Sequence, residues 1–177
     1  MSSRLSTSPV GGARNNPEAE ANIARITGAW RKSGRPVIHV HHESVSPTGA
    51  FRKDGPGVLT KPEAVPQEGE KLHWKTVNSA FIGTSLEAEL RQAGITTLVI
   101  IGLTTNHCVS TTARMAGNLG FETFVIADAT ATFERMGLDG RMRPAAEVHA
   151  SALSDLDGEF ASVVETHDIL KAIRVQT

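Results

Sequence analysis

The 177 residues are 40% hydrophobic and 21% charged, with a formal net charge of −1. That length suits one domain with a full core, expected over residues 1–177, and the composition excludes disordered and fibrous architectures. The near-neutral balance argues against nucleic acid as a partner, because neutralising phosphates needs a basic face.

Residues 1–14 carry Ser2, Ser3, Ser6, Thr7 and Ser8 but no apolar stretch, so no secretory leader is expected. Residues 1–13 read as flexible, or as the remnant of a truncated N-terminus. The pattern then predicts a helix over Pro17–Ser33, a strand at Val37–Val40, and a Pro-rich stretch from His42 to Lys71 too long for a simple connection. A helix over Leu86–Ala93 and a strand at Leu98–Gly102 follow. Next come a helix over His107–Leu119, a strand at Thr123–Ala127, a polar loop Glu134–Arg143, a helix over Pro144–Asp157 and a strand at Ser162–Glu165. Pro17 and Pro144 suit first-turn positions, and Gly34, Gly94, Gly120 and Gly158 suit the residue after a last turn. The longest apolar run, Leu98 to Leu103, is far shorter than the roughly 20 residues of a membrane span, which excludes a membrane partner.

Strands alternating with helices imply an α/β fold with a mostly parallel sheet covered on both faces. Ligands of such sheets bind beyond the carboxyl ends of the strands. That rule nominates His41–Ser44, Leu103–Cys108 and Asp128–Thr132.

Cys108 is the only cysteine, so it forms no internal disulfide, which fits a reducing cytoplasm. It falls in the first predicted turn of its helix. Free backbone N–H groups and the helix dipole there favour an anion, so the position suits a thiolate, and the same amides can receive an oxyanion. The competing reading is a small buried hydrophobe. His107 points about 100° away from its neighbour and reads as a cap or rim residue. Lys75, judged locally, is a solvated loop lysine. His39 and His41 share one strand face and His42 takes the other, with no Cys or Asp nearby to complete a metal shell. No P-loop or dinucleotide glycine pattern is present, so no metal and no cofactor are expected. Trp74, Phe81 and Phe133 read equally well as pocket wall or as core.

Gly102-Leu-Thr-Thr-Asn-His-Cys-Val-Ser-Thr-Thr-Ala-Arg114 resembles the nucleophile segment of the isochorismatase-like cysteine hydrolases, which include nicotinamidases and other small-amide hydrolases. Lys75-Thr-Val-Asn-Ser-Ala-Phe-Ile-Gly-Thr84 resembles the lysine segment of that family, and Ala127-Asp-Ala-Thr-Ala-Thr-Phe133 its next strand end. Arg14-Asn-Asn-Pro-Glu-Ala-Glu-Ala-Asn-Ile23 is similar to the start of its first helix. The resemblance implies a three-layer α/β/α fold and an Asp, Lys, Cys triad acting on a small-molecule C–N bond. Cys108 would attack and Lys75 would hold its charge. The amides of Thr104 and Cys108 would bind the oxyanion, and Asn78, Phe81 and Thr105 would contact substrate. It also implies a cis peptide between Leu103 and Thr104 and a homo-oligomer, dimer or tetramer. The small residues Ala113, Ala116 and Gly117 would let the Cys108 helix approach its neighbours closely.

One departure matters. The family's aspartate ends an initial apolar strand, whereas no aspartate precedes Asp54 here and the first strand is lacking. Three readings follow: a longer natural chain in which Met1 is internal, which is preferred; a rearranged, inactive member; or a substituted base drawn from Glu43 and Asp128. The Asp-Trp-His metal motif of nicotinamidases is lacking too, which weakens nicotinamide as the substrate. A non-catalytic interaction module and a peroxide-sensing cysteine are the competing function classes.

Overall fold

The computed structural model describes residues 12–46, 51–52 and 60–175. Helix α1 spans Ala19–Lys32, strand β1 Ile38–His42 and strand β2 Lys71–Lys75. Helix α2 (Leu86–Gln92) leads to strand β3 (Thr97–Leu103), a π-turn at Thr105–Val109 and helix α3 (Ser110–Asn118). Strand β4 (Glu122–Ala131), a small hairpin of β5 (Arg135–Met136) and β6 (Met142–Arg143), helix α4 (Ala145–Ser154), strand β7 (Ser162–Val164) and helix α5 (Thr166–Val175) complete the order. The helices and strands expected from sequence all form, with shifted ends. Strand β2, helix α5 and the hairpin add to them.

Apart from the antiparallel β5–β6 hairpin, the strands run parallel in two separate sheets: β1 pairs with β2, while β3, β4 and β7 pair in that order. Alternation along each strand divides the core into layers. Val99, Ile101 and Leu103 of β3 pack with Ile126 and Ala129 of β4 against Ile23, Ile26 and Trp30 of α1 and Ile169 of α5. On the opposite face, Ile38, Val40 and Leu98 pack against Leu86 and Leu90 of α2 and Ala116 of α3. Val125 packs there against Val109, Ala113 and Leu153. The result is a three-layer α/β/α arrangement.

The β3–β4 register shifts between Ile100 and Gly102, so Gly102 faces Thr130 rather than Ala127. Strand β4 therefore runs on to Ala131, and the expected loop at Asp128–Thr132 begins inside a strand. Turns after the helices use glycine where the backbone turns left-handed, as at Gly120 (φ +83°) after α3. Gly117 serves another purpose. A Cβ there would meet the Phe160 carbonyl oxygen at 2.7 Å. Gly117→Ala is expected to cost about 1–3 kcal/mol in overpacking, more than the gain of up to about 1 kcal/mol in helix propensity. A lowered urea midpoint at unchanged m-value checks this.

Candidate active site

The cysteine is placed by a chain of local constraints. Strand β3 ends at Leu103, the Leu103–Thr104 peptide is cis, and the backbone then makes a π-turn before α3 begins at Ser110. The Thr104 carbonyl accepts from both His107 N and Val109 N at 3.2 Å. The helix expected from His107 thus starts three residues later, and Cys108 sits in a wider turn feeding that helix. Two side chains pin this turn. Thr105 is 0% exposed, its hydroxyl 2.9 Å from His149 Nδ1 of α4. The Thr132 hydroxyl donates to Asn106 Oδ1 at 2.5 Å. Cys108 remains half-buried and His107 exposed.

Lys75 comes from the other sheet. It closes β2 opposite His42 of β1 and is 5% exposed. Its Nζ donates to the Val77 carbonyl at 2.9 Å and lies 3.2 Å from Cys108 Sγ and 3.4 Å from His42 Nδ1. A flexible ammonium held by three polar atoms in this way has one place to be, beside the sulfur. Asn78 Oδ1 lies 3.9 Å from the same sulfur. Of the expected site residues, Cys108, Lys75 and Asn78 therefore converge, and Thr104 opens the turn that carries the cysteine. Phe81 is stacked on Phe121 at 5.9 Å and borders the same cleft as Cys108 and Lys75, while Thr105 is sealed beneath the turn.

No carboxylate reaches Cys108 or Lys75 among the described residues. Asp128 points into the α1/α5 layer, its Oδ1 accepting from Thr166 N (2.8 Å) and Thr166 Oγ1 (2.6 Å) and its Oδ2 from Asn22 Nδ2 (3.1 Å). Glu43 only donates its backbone N–H to the Lys75 carbonyl, at 2.8 Å. The residue that sequence reasoning missed as a site neighbour is His42, whose ring also meets Phe51 edge-on at 6.0 Å. Burial, then the Lys75 charge, hold it below the ordinary histidine range, so it stays neutral at pH 7.

The other histidines disperse. His39 Nε2 pairs with Glu70 (2.7 Å), which Arg31 also grips (2.7 Å), while His41 lies edge-on to Trp74 at 5.0 Å. Among the described residues no three potential ligands cluster to hold a metal ion. Nor is any described helix long and apolar enough to cross a membrane.

Burial pushes His41, His42 and His149 below the ordinary value of 6.5. Below that pH the unfolded chain takes up protons that the folded chain refuses. Stability is therefore expected to fall as pH drops from about 7.5 through 6.5. Glu70, held at about 2 chiefly by Arg31, extends the loss below its unfolded value of 4.5. Urea midpoints at several pH values between about 7.5 and 4 test the slope.

Comparison with known proteins places this architecture. The model of the isochorismatase domain matches residues 3–168. The isochorismatase family protein YrdC of Bacillus subtilis is 45% identical over 159 residues, covering 90% of this chain and 85% of that protein. Nicotinamidase 3 of Arabidopsis thaliana is 29% identical over 165 residues, covering 86% of this chain and 78% of that protein. A crystal structure of an isochorismatase family protein from Chromobacterium violaceum superposes with a TM-score of 0.91 at 46% identity, covering 94% of this chain and 86% of that one. With its layers, its cysteine turn and these matches in agreement, the chain belongs to the isochorismatase family of hydrolases.

Proposed function

We propose that the chain hydrolyses a C–N bond of a small carboxamide through an acyl-cysteine intermediate, with no cofactor. The observation that carries this reading is the buried Lys75 ammonium 3.2 Å from Cys108 Sγ. An adjacent cation favours the thiolate, the reactive form.

The thiolate of Cys108 adds to the carbonyl carbon, and the developing oxyanion takes hydrogen bonds from the Thr104 and Cys108 amides. The C–N bond breaks as Lys75 passes a proton to the departing nitrogen. Water then cleaves the thioester, its proton returns to Lys75, and the carboxylic acid leaves with the thiolate restored. Asn78 Oδ1, near the sulfur and at the surface, suits the amide N–H of the substrate. Neutral His42 backs Lys75 and can share its proton between the two half-reactions. With no carboxylate beside this pair among the described residues, turnover by these residues alone is expected to run about 10²–10⁴-fold below that of a complete acid–base site.

The test is to incubate the chain with a panel of small aliphatic and aromatic carboxamides, measure ammonia release and trap the intermediate by acid quench. Intact-mass spectra showing one acyl group on the peptide containing Cys108 support the reading. Ammonia release with no acyl adduct under any quench overturns it.

A further inference from the structure

Helix α4 turns Ala145, His149, Ala152 and Leu153 inward, and His149 is the polar member of that face, 9% exposed. A buried imidazole is costly unless its ring nitrogens find partners. His149 Nδ1 lies 2.9 Å from the hydroxyl of Thr105, which is 0% exposed and so has no water to turn to. Nε2 lies 3.4 Å from Asn16 Nδ2. That amide gives its hydrogens to the carbonyls of Ala127 (2.9 Å) and Thr130 (2.7 Å), so Nε2 keeps the ring proton and turns it to the Ala127 carbonyl. Burial holds the ring below the ordinary histidine range, against the pull of that carbonyl. The ring is therefore neutral at pH 7, with the Thr105 hydroxyl donating and Nδ1 accepting.

Ala127 and Thr130 belong to the stretch of β4 where its register against β3 shifts, so Asn16 and His149 brace the cysteine turn against that irregularity. The turn rests on α4 at both of its ends. Thr105 meets His149, and four residues further along each element Val109 shares an apolar cluster with Leu153. Lys75 reaches the sulfur from the other sheet, with its own tie to the Val77 carbonyl at 2.9 Å. The 3.2 Å between Nζ and Sγ therefore depends on how deep the turn sits. The Thr104 and Cys108 amides assigned to the oxyanion lie before and after Thr105 in the chain, so they move with the same residue. An apolar pair could fill this space, but a hydrogen bond also fixes distance and direction, which apolar contact leaves loose.

We propose that His149 is a positioning residue for the nucleophile: through the Thr105 hydroxyl it sets the depth of the cysteine turn, and with it the reach of Cys108 to Lys75 and the aim of the turn's amides. The inference rests on Cys108 as the nucleophile. His149 touches neither the sulfur nor a substrate and acts through Thr105, which is itself sealed from the cleft. Its effect belongs to the chemical step, where a misplacement of about 1 Å can cost about 10²-fold, and not to substrate binding.

The test compares His149→Leu, Thr105→Val, the double variant and His149→Asn in carboxamide turnover, in Cys108 alkylation by iodoacetamide and in Tm. Each single apolar variant is expected to lower kcat by about 10–100-fold with KM within about twofold of the parent, and to slow alkylation. Each also strands one buried polar group and should lower Tm. The double variant strands neither, so its Tm should recover while kcat and the alkylation rate stay down. His149→Asn returns an acceptor oxygen to the place of Nδ1 and should recover most of both rates. A merely structural pair would give the opposite result, with activity returning in the double variant along with Tm, and that outcome overturns the proposal. Parent-like kcat and alkylation in Thr105→Val overturn it too, as does a raised KM at unchanged kcat, which would place the pair in substrate binding. Alkylation reads the sulfur without any amide substrate, so a parent chain that alkylates but does not hydrolyse carboxamides would strike the proposed reaction alone.

Discussion

Cys108→Ala is expected to bring carboxamide turnover to the uncatalysed background, a loss of about 10⁴–10⁶-fold where a nucleophile is removed from a site acting as a unit. Lys75→Met is expected to lower kcat/KM by about 10²–10⁴-fold, since the thiolate loses its cation and the leaving nitrogen its proton donor. Alkylation of Cys108 by iodoacetamide should slow in the same variant, which ties the loss to the sulfur rather than to substrate binding. The two substitutions part company in stability. Lys75 is 5% exposed without a carboxylate among its described partners, so Lys75→Met removes an uncompensated charge and is expected to hold or raise Tm. Lys75→Arg should not restore activity, because a planar guanidinium cannot take the place of an ammonium wedged between Val77 O, His42 and Cys108. A Cys108→Ala protein with undiminished turnover would remove the nucleophile from the scheme.

The largest stability effect is expected at Asp128. Its carboxylate takes the first N–H and the hydroxyl of Thr166 at the start of α5, together with the Asn22 side chain of α1. Asp128→Ala strands the two Thr166 donors in a packed layer, while Asn22 Nδ2 keeps its bond to the residue-128 carbonyl (3.0 Å), and is expected to cost about 3 kcal/mol. Part of that cost returns through Glu165, whose carboxyl is raised first by burial and next by the Asp128 charge. Asp128→Asn should lose less. In both variants the Cys108 alkylation rate should stay near that of the parent chain, because Asp128 faces the α1/α5 layer. A slowed alkylation at full stability would instead return Asp128 to the site as its base.

Local sequence carried β3, β4 and the cysteine turn because their signals are short-range: an apolar β-branched run, a turn, then a helix with small residues on its packed side. It did not carry β2. Lys71-Leu-His-Trp-Lys75 inverts the usual pattern, with Leu72 and Trp74 exposed and Lys75 buried, since its inward positions are set by β1 and Cys108 rather than by neighbours in the chain. Lys75 shows the same limit. Nothing beside it in sequence distinguishes it from a solvated lysine; its role depends on a residue 33 positions away. Helix α5 escaped notice because part of its N-terminal support, Asp128, lies 38 residues upstream. Sequence alone sets His42 only on the strand face opposite His39 and His41, with no metal shell around it; the fold makes it a neighbour of the Lys75 ammonium.

The long strand pairings among the described residues are all parallel, and the two-residue β5–β6 hairpin is antiparallel and local. β1 finds β2 across the whole stretch from His42 to Lys71, and β4 finds β7 across α4. Such loops must close before any contact rewards them, so the chain is expected to acquire its native state in milliseconds to seconds rather than microseconds. During that interval apolar strands stand open to other molecules. Refolding yield should therefore fall with protein concentration well before equilibrium stability does.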